Sequence, residues 1–187
     1  MAVSKTKTFS EYEVDEVGFI FGVDDKISET CIGSLAEEME AKTTTKKCRG
    51  IVTKSVTRGT GTGTLTLALH VKAYVANKVA GMYVDSLKEG ITAYGENSIH
   101  PEFALTAHVQ DEDQNEKYKA YPKCVLANKP SITIENGAEE IAELEMTLNV
   151  MPDDYRNGVY ECFKEDVPSG ITNWMTDFTS EAMQASA

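Results

Sequence analysis

The sequence predicts a mainly β fold: a β-sandwich with one flanking α-helix. Three observations carry this. Apolar and polar residues alternate with a period of two rather than 3.6 in residues 64–73, 102–110 and 140–151. Clusters of Gly, Asn and Asp separate the alternating runs. Only residues 74–82 show a helical stripe within the chain's interior, through Val75, Val79 and Met82.

In the strongest strand, Leu65, Leu67, Leu69 and Val71 face one side, and Thr64, Thr66, His70 and Lys72 the other. That is the signature of a strand with one buried face. Phe103, Leu105, Ala107 and Val109 repeat it, as do Ala142, Leu144, Met146, Leu148 and Val150. Weaker strands are expected at 17–23, 34–41, 47–56, 117–126, 131–134 and 158–163, about nine in all. The run from Arg58 to Gly63 reads as a glycine-rich turn at a hairpin tip. The segment 111–115 joins two antiparallel strands, and Asn136-Gly137 and Asn157-Gly158 suit turns that need positive φ. Gly81 weakens the end of the helix. Residues 168–187 fit either a short helix around 174–183 or an arm.

The chain has 187 residues, of which 41% are hydrophobic and 26% charged. This is enough for one self-sufficient core with an appended tail, without disulfides or metal. No run of 18 apolar residues suggests a membrane span, and residues 1–9 lack the apolar stretch of a signal peptide. Cys31, Cys48, Cys124 and Cys162 form no Cys-x-x-Cys pair. They read as free thiols of a reducing cytosol, and no cofactor is expected.

The net charge of −12 disfavours nonspecific binding to nucleic acid or anionic membranes. It hides a reversal, however. Residues 41–84 hold eight basic side chains and no acid, whereas residues 135–187 hold twelve acids against Arg156 and Lys164. The basic stretch carries no aromatic residue between Lys42 and Lys72 on which a base could stack. Complementarity between copies of one subunit is the alternative reading, with a solvated strand face as the plain one.

Motifs for chemistry fail on their own terms. Gly59-Thr60-Gly61-Thr62-Gly63 lacks the spacing and the following helix of a dinucleotide loop. Asp111, Asp113 and Asn115 begin like a calcium loop, but Glu116 and Pro122 stand where its Gly and Glu belong. The histidines, His70, His100 and His108, form no metal-binding pair. Cys124 with His108 across a hairpin reads better as a core thiol than as a nucleophile. Glu143 and Glu145 share a strand face about 6–7 Å apart. A glycosidase-like pair is therefore geometrically open, but no aromatic cluster marks a sugar cleft.

Several segments, taken in order, resemble the major tail proteins of long, non-contractile tailed phages and prophages of Gram-positive bacteria. They are Val17-Gly18-Phe19-Ile20-Phe21, Gly63-Thr64-Leu65-Thr66-Leu67 leading toward Tyr74, and Ala93-Tyr94-Gly95. They continue with Pro101-Glu102-Phe103, Lys117-Tyr118-Lys119-Ala120-Tyr121-Pro122 and the acidic entry from Glu135 to Met146. The resemblance runs over about residues 15–163. It implies a tail-tube-like β-sandwich domain over 1–163, N-terminal arm included, with 164–187 as a C-terminal arm or short helix.

The same resemblance implies a non-enzymatic virion protein, assembled in the bacterial cytoplasm. Six copies would form a ring whose inner sheets join, and stacked rings would form the conduit for DNA ejection. Its partners would be itself and the tape-measure, distal tail and terminator proteins, with DNA passing unbound. The alternatives are the tube of a headless, bacteriocin-like particle and a small hydrolase using Glu143 and Glu145. Strand alternation suggests Glu38, Glu40, Glu143 and Glu145 as lumen-facing groups. The basic residues Lys42, Lys46, Lys47, Arg49, Lys54 and Arg58 are the candidates for contact between subunits, on a hairpin spanning 42–63.

Overall fold

The computed structural model describes residues 8–132, 134–137, 139 and 141–185. Eight strands run in chain order: β1 Glu13–Ile20, β2 Lys26–Glu29, β3 Ile32–Cys48, β4 Ile51–Leu69, β5 Phe103–Gln110, β6 Glu116–Leu126, β7 Leu144–Met151 and β8 Tyr160–Phe163. All pairings are antiparallel, in the order β2-β1-β5-β6-β7-β4-β3, with β8 beside the first half of β6. The fold is thus mainly β, as expected. Its two walls, however, belong to one rolled sheet.

The roll has a simple cause. Strands β1 to β7 each offer an apolar face, and these faces meet in one cluster. Val17 and Phe19 of β1, Leu105 and Ala107 of β5, and Tyr121 and Cys124 of β6 pack against Leu65, Leu67, Met146 and Leu148 of the opposite wall. Most of these side chains are fully buried. Burying each aliphatic side chain contributes about 1.5–3 kcal/mol, which drives the closure. Strand β6 keeps both Tyr121 and Cys124 inside although they are three apart. A bulge absorbs the extra residue: Leu105 pairs with Tyr121 and Phe103 with Cys124. Pro122, which has no N–H to donate, sits in that bulge, where strands tolerate it.

The flanking helix α1, Ala73–Val79, is shorter than the 74–82 stripe. Val75 and Val79 plug one end of the core, and Gly81 follows with a φ of +61°. Strand β4 stops at Leu69, so Lys72 lies on no strand face. Its backbone N–H and its ammonium both reach the buried Glu29 carboxylate, at 3.1 Å each.

A second cluster covers the outer face of β1, β5 and β6. The short helix α2, Trp174–Asp177, places Trp174, Met175 and Phe178 against Ala120, with Ile20, Ala104 and Tyr160 packed around them. Trp174 Nε1 donates to the Lys119 carbonyl at 2.9 Å. Thr106, buried on the outer face of β5, donates to the Met175 carbonyl at 3.1 Å. Residues 164–185 therefore lie folded onto the sheet, and the expected helix around 174–183 is one helical turn followed by a 3-10 turn at Glu181–Met183.

Three expectations are corrected. The hairpin tip is not the glycine run 58–63 but Arg49-Gly50, where both centre residues have positive φ, +51° and +80°. Two such residues twist a hairpin turn in the same sense as its strands. Residues 34–41 consequently lie within the much longer β3, the expected strand 47–56 instead straddles the turn between β3 and β4, and Gly59–Gly63 lies inside β4. Strand formation over 131–134 is also absent at Ser131, Ile132 and Ile134, while Thr133 is outside the described residues. The expected strand over 140–151 begins at Leu144; Glu140, like the N-terminal arm's first seven residues, is outside the described residues.

Candidate assembly surfaces

The outward face of β7, β4 and β3 is built in rows. Register places Ser34, Ala68 and Glu145 side by side, then Ala36, Thr66 and Thr147, then Glu38, Thr64 and Asn149. Glu40 adds a further carboxylate and accepts a hydrogen bond from Thr62 Oγ1 at 2.6 Å. The side chains in these rows are small or acidic, and none is a cation or a large apolar group. Their backs are the core residues Leu65, Leu67, Met146 and Leu148, which fixes their outward aim by strand alternation.

Three of the four expected acidic groups, Glu38, Glu40 and Glu145, therefore share this face. Glu143 lies just before β7, with its carboxylate over Gly33, where a Cβ would collide with it. An open depression of about 780 Å³ is lined by His70, Ile141, Ala142 and Glu143 but not by Glu145. The two glutamates that could have formed a catalytic pair do not share a cleft.

Beyond residue 40 the same hairpin leaves the body. Residues 41–48 and 51–60 are exposed on both faces. At about 3.3 Å per residue the ribbon projects about 26 Å. One face carries Lys42 opposite Arg58, Thr44 opposite Val56, and Lys46 opposite Lys54. The other carries Thr43 opposite Thr57, joined by a hydroxyl contact at 2.8 Å, and Thr45 opposite Ser55. A bulge at Thr53, whose hydroxyl donates to the Lys46 carbonyl at 3.1 Å, brings Lys47 opposite Val52. Arg49 sits in the tip itself, and Lys47 lies just before it. All six expected basic residues thus lie on one projecting ribbon.

This ribbon is locally unfavourable. Like charges directly opposite each other destabilise a strand pair, and here two cation pairs do so with no acid in the segment. A two-stranded ribbon with no packed face is marginal by itself. Ile51 and Val52 near the tip are exposed by 70% and 51%.

The sequence reading missed a third feature. Strands β2 and β3 are separated only by Thr30 and Cys31. The chain pairs with β1 before this point and with β4 after it. A cleft of about 630 Å³ opens where they part, between residues 11–14 and the start of β3. At its base Lys119, whose side chain is 7% exposed, donates to Glu37 at 2.8 Å and to Glu11 at 3.0 Å. Tyr121 donates to the same Glu37 oxygen at 2.6 Å. Burial pulls the Lys119 ammonium down, but the bonds from Glu37 and Glu11 outweigh it and hold the group above the usual lysine range. Burial, then the Glu37 carboxylate, pushes the Tyr121 phenol up. The one available signal was Lys119 itself, a cation at the inward parity of a buried strand.

Other motifs resolve into structure. Cys124 is buried, and burial pushes its thiol up to about 12. His108 lies on the opposite face of the sheet, its ring tilted against Tyr118, with Asp15 beside it at 3.1 Å. The Asp111 carboxylate accepts from the backbone N–H groups of Asp113 and Asn115, so it closes a turn. Among the described residues no group of three or more His, Cys, Asp or Glu is placed to hold a metal ion, and no helix is long and apolar enough to cross a membrane.

No family model and no curated protein matches the sequence. Solved structures with a similar chain path include the tube-terminating cap of the anti-feeding prophage. It shares 11% identity and a TM-score of 0.43, over 87% of this chain and 99% of that one. The six-fold symmetrised baseplate of the anti-feeding prophage gives 9% identity and a TM-score of 0.41, over 85% and 97%.

Proposed function

We propose that this chain is a structural subunit that polymerises into a phage-type tail tube. Its rings would be homo-hexameric and stacked, and the bore would pass DNA without binding it. The carrying observation is the uncovered face of β7, β4 and β3, with rows of Ala, Ser, Thr, Asn and Glu and no cation. A conduit for DNA must not retain phosphates, since each Lys or Arg contact would add salt-dependent affinity. An acidic face with small side chains repels phosphates and leaves a hydrated gap.

Two further features support assembly. Strand β3 ends the sheet and has no partner strand on its outer edge among the described residues. Such an edge is a template for pairing with another chain. Closing a ring needs two different, complementary surfaces on each copy, and the cationic ribbon beside acidic faces supplies them. The order of segments that resembles the tail proteins points the same way. In this reading the protein is a virion component without enzymatic activity, and tape-measure, distal and terminator proteins are its tail partners.

Negative-stain microscopy and sedimentation of the concentrated full chain test the reading. Hollow rings or tubes are expected. A species that stays monomeric at every concentration, alone and with tail-initiating proteins, overturns it.

A further inference from the structure

We propose that the cleft between residues 11–14 and the start of β3 receives the tip of the β3–β4 ribbon from a second copy of this chain. The proposal rests on the self-assembly reading and adds the acceptor that reading leaves open.

The cleft is chemically matched to that tip. Glu11, Glu13 and Glu37 line it against Lys119 as its one cation. Glu37 and Glu11 are already engaged by Lys119. Glu13 is exposed at the rim and carries a charge that Lys119 does not neutralise. The ribbon tip brings Lys47 and Arg49, with no acid within its own segment. Docking places opposite charges together and relieves the facing of Lys46 and Lys54, which the isolated ribbon cannot.

The cleft also offers backbone. Among the described residues, the stretch from Glu13 to Glu16 pairs only with β5, because β2 begins its pairing with β1 at Val17. Among the described residues, strand β3 pairs only with β4. Two strand edges therefore flank one opening, and an extended segment entering it can add its own N–H and C=O groups to either edge. Val14, Leu35 and Val109 supply apolar wall, against which the exposed Ile51 and Val52 of the tip can be covered. Cleft and tip lie on opposite ends of β3 in the same chain, so one copy cannot satisfy itself. The contact is head-to-tail, the kind that propagates along a stack.

Charge exchange and cross-linking test this on the full chain. Glu13→Lys and Lys47→Glu, each alone, are expected to raise the concentration needed for polymer by about tenfold, roughly one lost ionic contact per docking. The double variant should recover to near the parent value. In a Cys31→Ser, Tyr12→Cys chain, mild oxidation of polymer should link the thiol introduced at position 12 in the cleft to native Cys48 beside the tip, identified by peptide mass. Polymer that forms normally yet gives no such link, with Glu13→Lys assembling like the parent, overturns the docking and leaves the tube intact. A parent chain that forms no polymer before oxidation overturns the assembly reading beneath it.

Discussion

Gly61 and Gly158 pass each other backbone to backbone. A Cβ built on Gly158 would run into the Gly61 carbonyl, and one built on Gly61 would press on Pro152 at 2.9 Å and the Arg156 carbonyl at 3.1 Å. Gly61 also has a φ of +79°, a conformation other residues adopt only with strain. It sits in the bulge where Met39 pairs with Gly63 and Ala41 with Gly59, the point at which the ribbon leaves the body. The contact therefore ties the base of the projecting ribbon to the loop before β8. Gly158→Ala should cost about 1–3 kcal/mol in urea unfolding, the usual range for forcing an extra methyl group into a packed site. Gly59→Ala, two residues away with open space around it, should change stability by less than about 0.5 kcal/mol. Equal losses at both positions would refute the contact.

The loop between β7 and β8 predicts an acid-side response. Asp153 and Asp111 close loops of one kind. In each, the aspartate N–H donates to the carbonyl of an asparagine four residues on, and a residue of positive φ, Arg156 or Gln114, stands at the fourth place. Burial raises the Asp153 carboxyl, but hydrogen bonds from Ser180, Tyr160, Asn157 and Tyr155 outweigh it and hold the group below its ordinary value of 3.8. A depressed folded-state value means that the stabilisation is complete above the unfolded value and is lost as pH falls through the folded one. Parent stability should therefore decline below about pH 4 more steeply than that of Asp153→Asn. Superimposable profiles between pH 5 and 2 would show that the carboxylate is not held.

How much was legible follows from which signals are local. Leu65, Leu67 and Leu69 and the alternations through Phe103 and Met146 reveal their strands because burial on one face imposes period two on the sequence itself. Glu38, Glu40 and Glu145 were readable for the same reason: knowing the inward residues fixes the outward ones. The true turn was not readable, because Arg49-Gly50 lacks the Asn-Gly or Asp-Gly signature, while Gly59 to Gly63 imitates a tip. Of these, Gly61 serves a close backbone approach to Gly158, about a hundred positions away, and Gly63 one to Glu38 on the neighbouring strand, while Gly59 faces open space. The Lys119–Glu37 pair was equally hidden, since only the roll of the sheet brings β6 over β3. Lys26 to Glu29 was too short and too charged to stand out as a strand.

The ribbon charges predict a separation of assembly from stability. Lys46→Glu, Lys47→Glu and Arg49→Glu together reverse the tip, where every side chain is solvent-exposed. Exposed charges individually contribute about 0–1 kcal/mol to folding, and the facing of Lys46 and Lys54 is itself unfavourable. Thermal or urea unfolding of the unassembled variant should match the parent. Polymer yield, by pelleting at moderate salt, should collapse, because the loss recurs at every docking along the stack. Raising salt should weaken the parent in the same direction, as screening shortens the reach of each charge. Undiminished yield from the triple variant would remove the ribbon from the interface.

The outward rows predict how a bore of this composition treats DNA. In the proposed tube, Glu38 and Glu145 flank Thr64 and Ala68 of β4 on a face without cations. Glu38→Lys with Glu145→Lys changes four charge units per subunit while leaving the core side, Leu65, Leu67 and Met146, untouched. The variant should fold as the parent does, since both positions are exposed and surface changes of this kind cost little. Its assembled form should retain DNA fragments at low salt and release them as salt rises, with the steep log-log dependence of phosphate contacts. Parent assemblies should retain none under the same conditions. If the lysine variant binds no DNA although it assembles, this face does not line the passage, and the acidic rows belong to the outside of the particle.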